Sequence, residues 1–102
     1  MRHFLLFYDT DEDFLARRAA HRQVHLKHAW EAVQRGDLVL GGALMGDAGG
    51  AVLLFQGESP EVAETFARTD PYVTNGLVKT WRVREWTTVV GKEPASTVRP
   101  TP

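Results

Sequence analysis

The chain contains no cysteine among its 102 residues. This absence excludes disulfide bonds, thiolate nucleophiles and cysteine-ligated metals, and it is compatible with a reducing compartment. Serine is almost as scarce, because only Ser59 and Ser96 occur. Ser59 precedes Pro60 in a pattern typical of a helix N-cap, whereas Ser96 lies in a proline-containing tail. A serine nucleophile is therefore not expected.

The chain also lacks an excess of charge of either sign. It has 12 Lys and Arg against 13 Asp and Glu, a formal net charge of −1, whereas dedicated nucleic-acid-binding proteins usually carry a basic excess. No apolar run approaches the length that spans a bilayer. The short apolar run at residues 4–8 is followed by no small-residue cleavage site. We therefore expect a cytoplasmic protein with no nucleic-acid or membrane partner.

The length fits one domain, which we place at residues 1–90. Residues 91–102 contain three of the five prolines and few apolar side chains, so we predict an extended or disordered tail. Apolar periodicity predicts six elements in the domain. They are a strand at 3–9, a helix at 11–37, strands at 38–46 and 51–57, a helix at 59–69 and a strand at 77–90. This order is the ferredoxin-like βαββαβ pattern, an α+β fold with an antiparallel sheet.

The first predicted strand is apolar on both of its faces. One face would hold Phe4, Leu6 and Tyr8, and the other His3, Leu5 and Phe7. Helices on one side of the sheet would leave the second face bare, and the chain has no further segment to cover it. We therefore expect a homodimer whose sheets pack face to face.

Three histidines, His21, His25 and His28, lie at i, i+4 and i+7 of the first predicted helix. Such spacing can hold a metal, but only with a further ligand, and no HExxH motif is present. The neighbouring side chains are basic and would repel a cation. We predict no metal and no cofactor, and we expect His21 and His28 to face water or a partner chain.

Arg22 and His25 occupy different positions on that helix. At about 100° per residue, the apolar stripe of this helix is centred near Leu15 and Val33. His25 then lies at the edge of the stripe and Arg22 almost in its middle. A guanidinium there must be paired or must open into a polar pocket, because an unpaired buried charge is costly.

Asp70 closes the second predicted helix, directly before Pro71. One interpretation is a helix-capping carboxylate beside an ordinary surface His25. The other is a pair in which Asp70 holds one imidazole nitrogen and leaves the second free to exchange protons. Both helices of a ferredoxin-like fold lie on one face of the sheet, so Asp70 could reach His25. The spacing alone leaves both interpretations open.

These segments resemble the YciI-like (YCII-related) family over roughly residues 1–90. The resemblance is carried mainly by an R-x-x-H-L segment within "RQVHL" and by a later helix that ends in D-P-Y, in "SPEVAETFARTDPY". The first strand "RHFLLFYD" and the segment "GDLVLGGAL" also match. Gln23 departs from the family, which often has proline at that position.

The resemblance implies a dimeric α+β barrel with a histidine–aspartate dyad as the catalytic centre. By motif the dyad is His25 and Asp70, and Arg22 and Tyr72 are the implied substrate-binding residues. The expected function is cofactor-free acid/base catalysis on a small anionic or cyclic substrate, with lyase- or dehalogenase-like chemistry. Two alternatives stay open: a non-catalytic ligand-binding or regulatory dimer, and an oxygen-using monooxygenase that rests on fold analogy alone.

Overall fold

A computed structural model describes residues 1–101 as a four-stranded antiparallel sheet with helices. The strands are β1 (Arg2–Thr10), β2 (Leu38–Ala43), β3 (Ala51–Gly57) and β4 (Val78–Trp86), in the order β2-β3-β1-β4. The helices are α1 (Phe14–Arg17), α2 (Arg22–Gln34), α3 (Glu61–Thr69) and the single turn α4 (Pro71–Thr74). This arrangement confirms the predicted ferredoxin-like α+β fold. Within residues 1–101, no helix has the length and apolar character needed to cross a membrane.

The central strand β1 explains where the core lies. Its alternate residues Phe4, Leu6 and Tyr8 are at most 3% exposed, and they pack with Phe55 of β3 and Phe66 of α3. Each large apolar side chain buried in this way contributes roughly 1.5–3 kcal/mol. The period-two pattern of β1 therefore directs one face of the sheet toward the helices.

The predicted continuous helix at 11–37 is wrong. The segment forms α1, then a 3₁₀ turn at Arg18–Ala20, then α2, with His21 at the junction. Tertiary contacts account for the break. Arg17 donates to the carbonyls of Asn75 and Gly76 at 2.8 and 3.3 Å, and Phe14 packs edge-on against Tyr72. These contacts tie the first turn to the segment around α4.

The break also changes which side chains face inward. Leu15 was predicted at the centre of the inner stripe, but it is 71% exposed. A helical wheel drawn through His21 treats α1 and α2 as one continuous helix. Because the chain breaks between them, the faces that the wheel assigns to α1 are not the faces that α1 turns inward. Arg22 is likewise exposed rather than buried in the middle of an apolar stripe.

Strand β2 forms an edge of the sheet and ends at Ala43, earlier than predicted. Its register against β3 shifts between Leu38 and Leu40. A Cβ at Gly41 would lie 3.3 Å from Cγ of Leu53, so glycine permits a close approach of the two strands.

The last predicted strand also ends early, at Trp86. No helix or strand follows it within the described chain. The segment folds back on itself, since the Val98 amide donates to the Val89 carbonyl at 2.9 Å and the Ala95 amide to Thr88 Oγ1 at 2.7 Å. Thr88 Oγ1 also lies 2.7 Å from Nδ1 of the buried His3, which anchors the segment to β1.

Candidate active site

Asp70 lies at the junction between α3 and α4. Its backbone is extended, with φ −71° and ψ 125°, because the following Pro71 disfavours the helical conformation at this position. Pro71 then occupies the first position of α4, where proline is well suited. The Asp70 carboxylate accepts the Tyr72 amide at 3.0 Å and so caps α4. The capping interpretation therefore holds, although the capped helix is α4.

The same carboxylate contacts two further donors. Oδ2 accepts the Tyr8 hydroxyl at 2.6 Å, and Oδ1 lies 2.8 Å from Nδ1 of His25. Asp70 is completely buried. A buried carboxylate is strongly disfavoured unless its oxygens are hydrogen-bonded, and here donors from three parts of the chain surround it. Capping and pairing with His25 are thus properties of one side chain.

The imidazole ring of His25 is oriented by a contact of Nδ1 with Asp70 and by stacking on Tyr72. Because an ionised carboxylate only accepts, the Nδ1–H of His25 donates to Asp70 and leaves the Nε2 lone pair free. The imidazole stacks on the Tyr72 ring, with centroids 3.8 Å apart and an angle of 9° between the planes. The side chain is 16% exposed and lines a cleft. The ring is therefore oriented and still accessible.

Tyr8 is the member of the network that the sequence patterns do not reveal. Burial raises the pKa of Tyr8 far above its ordinary value, and the charge and hydrogen bond of Asp70 raise it further. Tyr8 therefore keeps its proton and donates a hydrogen bond to the carboxylate. The only sequence signal is a tyrosine on an otherwise apolar strand face, since a buried tyrosine hydroxyl usually finds a partner.

The cleft beside His25 has a volume of about 460 Å³. One wall is α2, with Leu26 and Ala29, and the opposite wall is strand β2 with Leu53 of β3. Its volume falls within the range of small-molecule sites, roughly 300–1,000 Å³. A ligand in this cleft would meet the free Nε2 of His25.

Arg22 and Tyr72, the two predicted substrate-binding residues, both line this cleft. Burial raises the pKa of Tyr72, while the charges of Arg22 and Arg18 act in the opposite direction. No hydrogen bond within residues 1–101 involves the Tyr72 hydroxyl. Within these residues every fully buried polar atom of a side chain has a hydrogen-bond partner. The Tyr72 hydroxyl has none, so it must retain some contact with solvent. It is available to a ligand.

A family model, described as the YCII-related domain, matches residues 1–87. The chain belongs to the YCII-related family. This confirms the resemblance carried by the R-x-x-H-L and D-P-Y segments. No functionally curated protein matches the chain in sequence.

Solved structures similar to this YCII-related protein share its fold. One is 5-chloro-2-hydroxyhydroquinone dehydrochlorinase from Burkholderia phenoliruptrix in complex with 2,5-dihydroxybenzoquinone. It has a TM-score of 0.72 and 22% identity, over 84% of this chain and 94% of that one. Another is acylphosphatase from Bacillus subtilis, with a TM-score of 0.51 and 19% identity over 97% of this chain and 100% of that one. At these identities the likeness shows the fold.

The other two histidines of the predicted first helix, His21 and His28, lie outside the cleft. His28 stacks on Phe66 with centroids 4.4 Å apart, and its Nε2 lies 3.1 Å from the Phe66 carbonyl. It is half-buried, and these contacts join α2 to α3. His21 caps the start of α2, where its carbonyl accepts the His25 amide. Among residues 1–101, no three His, Cys, Asp or Glu side chains form a group that could hold a metal.

Proposed function

We propose that this YCII-related protein is an enzyme in which His25 acts as general acid and base on a small cyclic or anionic substrate. The observation that supports the proposal is the contact of 2.8 Å between His25 Nδ1 and the buried Asp70 carboxylate, beside a cleft. A catalytic base must lie within hydrogen-bond reach of the group that orients it and of the proton it removes. His25 lies within hydrogen-bond reach of Asp70, which orients it. It also lines the cleft in which a substrate would present its proton.

Asp70 would orient His25 and stabilise its charged form. The neutral imidazole takes a substrate proton at Nε2, and the resulting imidazolium keeps its Nδ1–H bond to the carboxylate. Tyr8 and the Tyr72 amide remain bonded to Asp70 throughout. The proton then leaves Nε2 for a product or for water, which restores the neutral base.

The reaction class that fits best is elimination, as in dehalogenation. Nε2 removes a proton from a C–H or O–H bond of the substrate, and that electron pair forms a new double bond. The carbon–halogen bond breaks, and its electron pair leaves with the halide. The net change is loss of HX, with no oxidant or reductant. Arg22 and Tyr72 would stabilise the negative charge that develops on substrate oxygen. The shared fold with a dehydrochlorinase supports this choice.

The proposal is tested by measuring halide release from a panel of chlorinated hydroquinols and related hydroxylated rings. Wild type is compared with His25→Asn, Asp70→Asn and, as a control on the exposed side of α2, Lys27→Gln. We expect His25→Asn to lower kcat by about 10²–10⁴-fold, the usual contribution of a positioned acid/base. Lys27→Gln should retain wild-type kcat.

The alternative is a non-catalytic dimer that binds a small ligand in the same cleft. It predicts that panel members bind to wild type, that His25→Ala and Asp70→Asn weaken this binding, and that no halide is released in any arm. That combination of results would overturn the enzymatic proposal.

We further propose that a second copy of the chain covers the free sheet face. On that face Leu5, Phe7, Val52 and Leu54 are half-buried side chains of β1 and β3, and Leu40 is 71% exposed. A continuous apolar sheet face is a common dimer surface. Sedimentation should show a wild-type dimer that Leu54→Asp converts to a monomer, whereas Leu15→Asp on α1 stays dimeric. A monomeric wild type contradicts this proposal.

A further inference from the structure

The cleft carries charge at one end only. Arg18 and Arg22 contribute guanidinium groups, and His25 lies one turn further along α2. No aspartate or glutamate lines the cleft in the part of the chain that the structure describes. The charge that a ligand would meet is therefore positive.

These two arginines differ from others on the same surface. Arg17 lies 3.7 Å from Asp11 and donates to two carbonyls, and Arg35 donates to Asp37 at 3.2 Å. Within residues 1–101, no salt bridge or side-chain hydrogen bond involves Arg18 or Arg22. Arg18 is nevertheless half-buried. Two unpaired guanidiniums that line the same cleft repel, and a bound anion would relieve that repulsion.

Apart from the hydroxyl-bearing side chains of Tyr8, Thr10 and Tyr72, the rest of the cleft lining is apolar. Beyond His25 the wall of α2 continues with Leu26, Ala29 and Val33, and Leu38 and Leu53 face them from the sheet. These side chains offer no hydrogen bond to a polar ligand. A ligand that fills the cleft must therefore be polar at one end and apolar along its body.

We propose that the cleft binds an organic carboxylate, whose head lies between Arg18 and Arg22 and whose apolar body extends along α2 toward Leu38. The planar fork of arginine matches the two oxygens of a carboxylate, which favours this head group. Arg22 precedes His25 by three residues, roughly 4.5 Å along the helix axis. The reacting carbon is thus near the acid head. This inference deepens the proposed function and rests on it, because it takes the bound acid to be the substrate.

Three probes test the recognition in the intact chain by NMR titration, namely benzoate, the neutral isostere benzamide and the head group alone as acetate. We expect wild type to bind benzoate about tenfold more tightly than either benzamide or acetate, since hydrogen bonds to charged groups add to apolar burial. The shifted resonances should be those of α2 and β2. Equal binding of benzoate and benzamide, or no saturable binding of benzoate, overturns the inference.

Variants separate the two arginines from general charge effects. Arg18→Gln and Arg22→Gln should each weaken benzoate by about five- to tenfold and leave benzamide unchanged. Lys27→Gln removes the same charge from the same helix, away from the cleft, and should stay within about twofold because exposed charges are screened. Equal losses in all three variants would overturn the inference. Should a glutamine variant fail to fold, Arg→Lys at that position keeps the charge without the fork and should show a smaller loss.

The carboxylate inference and the catalytic proposal can fail independently of each other. His25→Asn should bind benzoate within about threefold of wild type, since the inferred charge-assisted hydrogen bonds to the head group come from the arginines. Arginine-dependent binding without turnover contradicts the catalytic proposal alone. Turnover of neutral substrates that is insensitive to Arg18→Gln and Arg22→Gln contradicts the carboxylate inference alone.

Discussion

Two side-chain pairs in this protein have the same separation and very different surroundings. His25 Nδ1 lies 2.8 Å from Asp70, and Arg2 lies 2.8 Å from Glu85. The side chains of the first pair are 16% and 0% exposed, whereas those of the second are 48% and 44% exposed. Distance alone would rank the pairs as equal, so the difference must come from burial and from the other bonds of each carboxylate.

Water competes for both partners of the exposed pair. Arg2 donates to both oxygens of Glu85, at 3.0 and 2.8 Å, and this bonding lowers the pKa of Glu85. Exposed pairs nevertheless contribute little, even with good geometry. Water cannot replace a lost donor at Asp70, so each missing bond leaves a buried charge less satisfied. We therefore expect that removing the buried interaction lowers the free energy of unfolding more than removing the exposed one, although the two have equal lengths.

The largest effect is expected from Asp70→Asn. The amide retains the shape of the carboxylate but loses the charge and one acceptor, so the cap of α4 and the orientation of His25 are both weakened. We expect the free energy of unfolding to fall by about 3 kcal/mol in urea at neutral pH. Asp47→Asn makes the same change in the exposed loop between β2 and β3 and should stay within about 0.5 kcal/mol. Similar losses in the two variants would remove the distinction between buried and exposed carboxylates.

Tyr8→Phe should have the next largest effect. It deletes only the hydroxyl that donates to Asp70 at 2.6 Å and leaves the ring in the core. The unfolding free energy should fall by about 2 kcal/mol, because a buried carboxylate oxygen loses its donor. Tyr72→Phe is the matched control, since the hydroxyl of Tyr72 makes no hydrogen bond within residues 1–101. A larger loss for Tyr72→Phe would contradict the assignment of Tyr8 to the network.

Alkaline unfolding provides a smaller, independent test of Tyr8. Burial raises the pKa of Tyr8 in the folded state, while an unfolded tyrosine titrates near pH ~10. Below that pH both states keep the proton. Above it only the unfolded state loses the proton, so stability declines as pH rises, by up to about 1.4 kcal/mol per pH unit. Urea unfolding at pH 9 and 11 should show that the free energy of unfolding falls less for Tyr8→Phe than for wild type. An equal fall in the two proteins would contradict the raised pKa of the buried Tyr8 hydroxyl.

The smallest effect is expected from Glu85→Gln. Because Arg2 lowers the pKa of Glu85, the pair contributes above the ordinary pKa of glutamate and loses its contribution as pH falls through the lowered value. The urea midpoint at neutral pH should not change measurably, and added salt should not alter this result. A loss comparable to that of Asp70→Asn would show that separation, rather than burial, decides the strength of these pairs.

The order of the strands and main helices was predictable from local patterns, whereas the pairing of His25 with Asp70 was implied by the family resemblance. Alternation in β1 and the turn residues between β2 and β3 depend on near neighbours, so they can be read along the chain. The R-x-x-H-L and D-P-Y segments identified the family and suggested that His25 and Asp70 meet. Their contact is observed, while their catalytic role stays a prediction.

The break at His21 and the role of Tyr8 were not predictable in the same way. The break depends on contacts of α1 with the segment around α4, about 58 residues away for Arg17 and Asn75. Tyr8 is separated from Asp70 by 62 residues, and no periodic pattern connects them. A helical wheel assumes a continuous helix, so the wheel placed Arg22 inside the protein. In the structure Arg22 lines a cleft.

The sequence by itself determined the backbone at Asp70. Pro71 disfavours the helical conformation at the preceding residue and starts the next turn, so the extended backbone that lets Asp70 cap α4 follows from steric contacts between neighbours. Only the tertiary structure decided what else that carboxylate holds. Packing of α2 and β1 around the α3–α4 junction brings His25 and Tyr8 to its two oxygens and removes water from them. The strength of these bonds depends on that burial, which no local segment can produce.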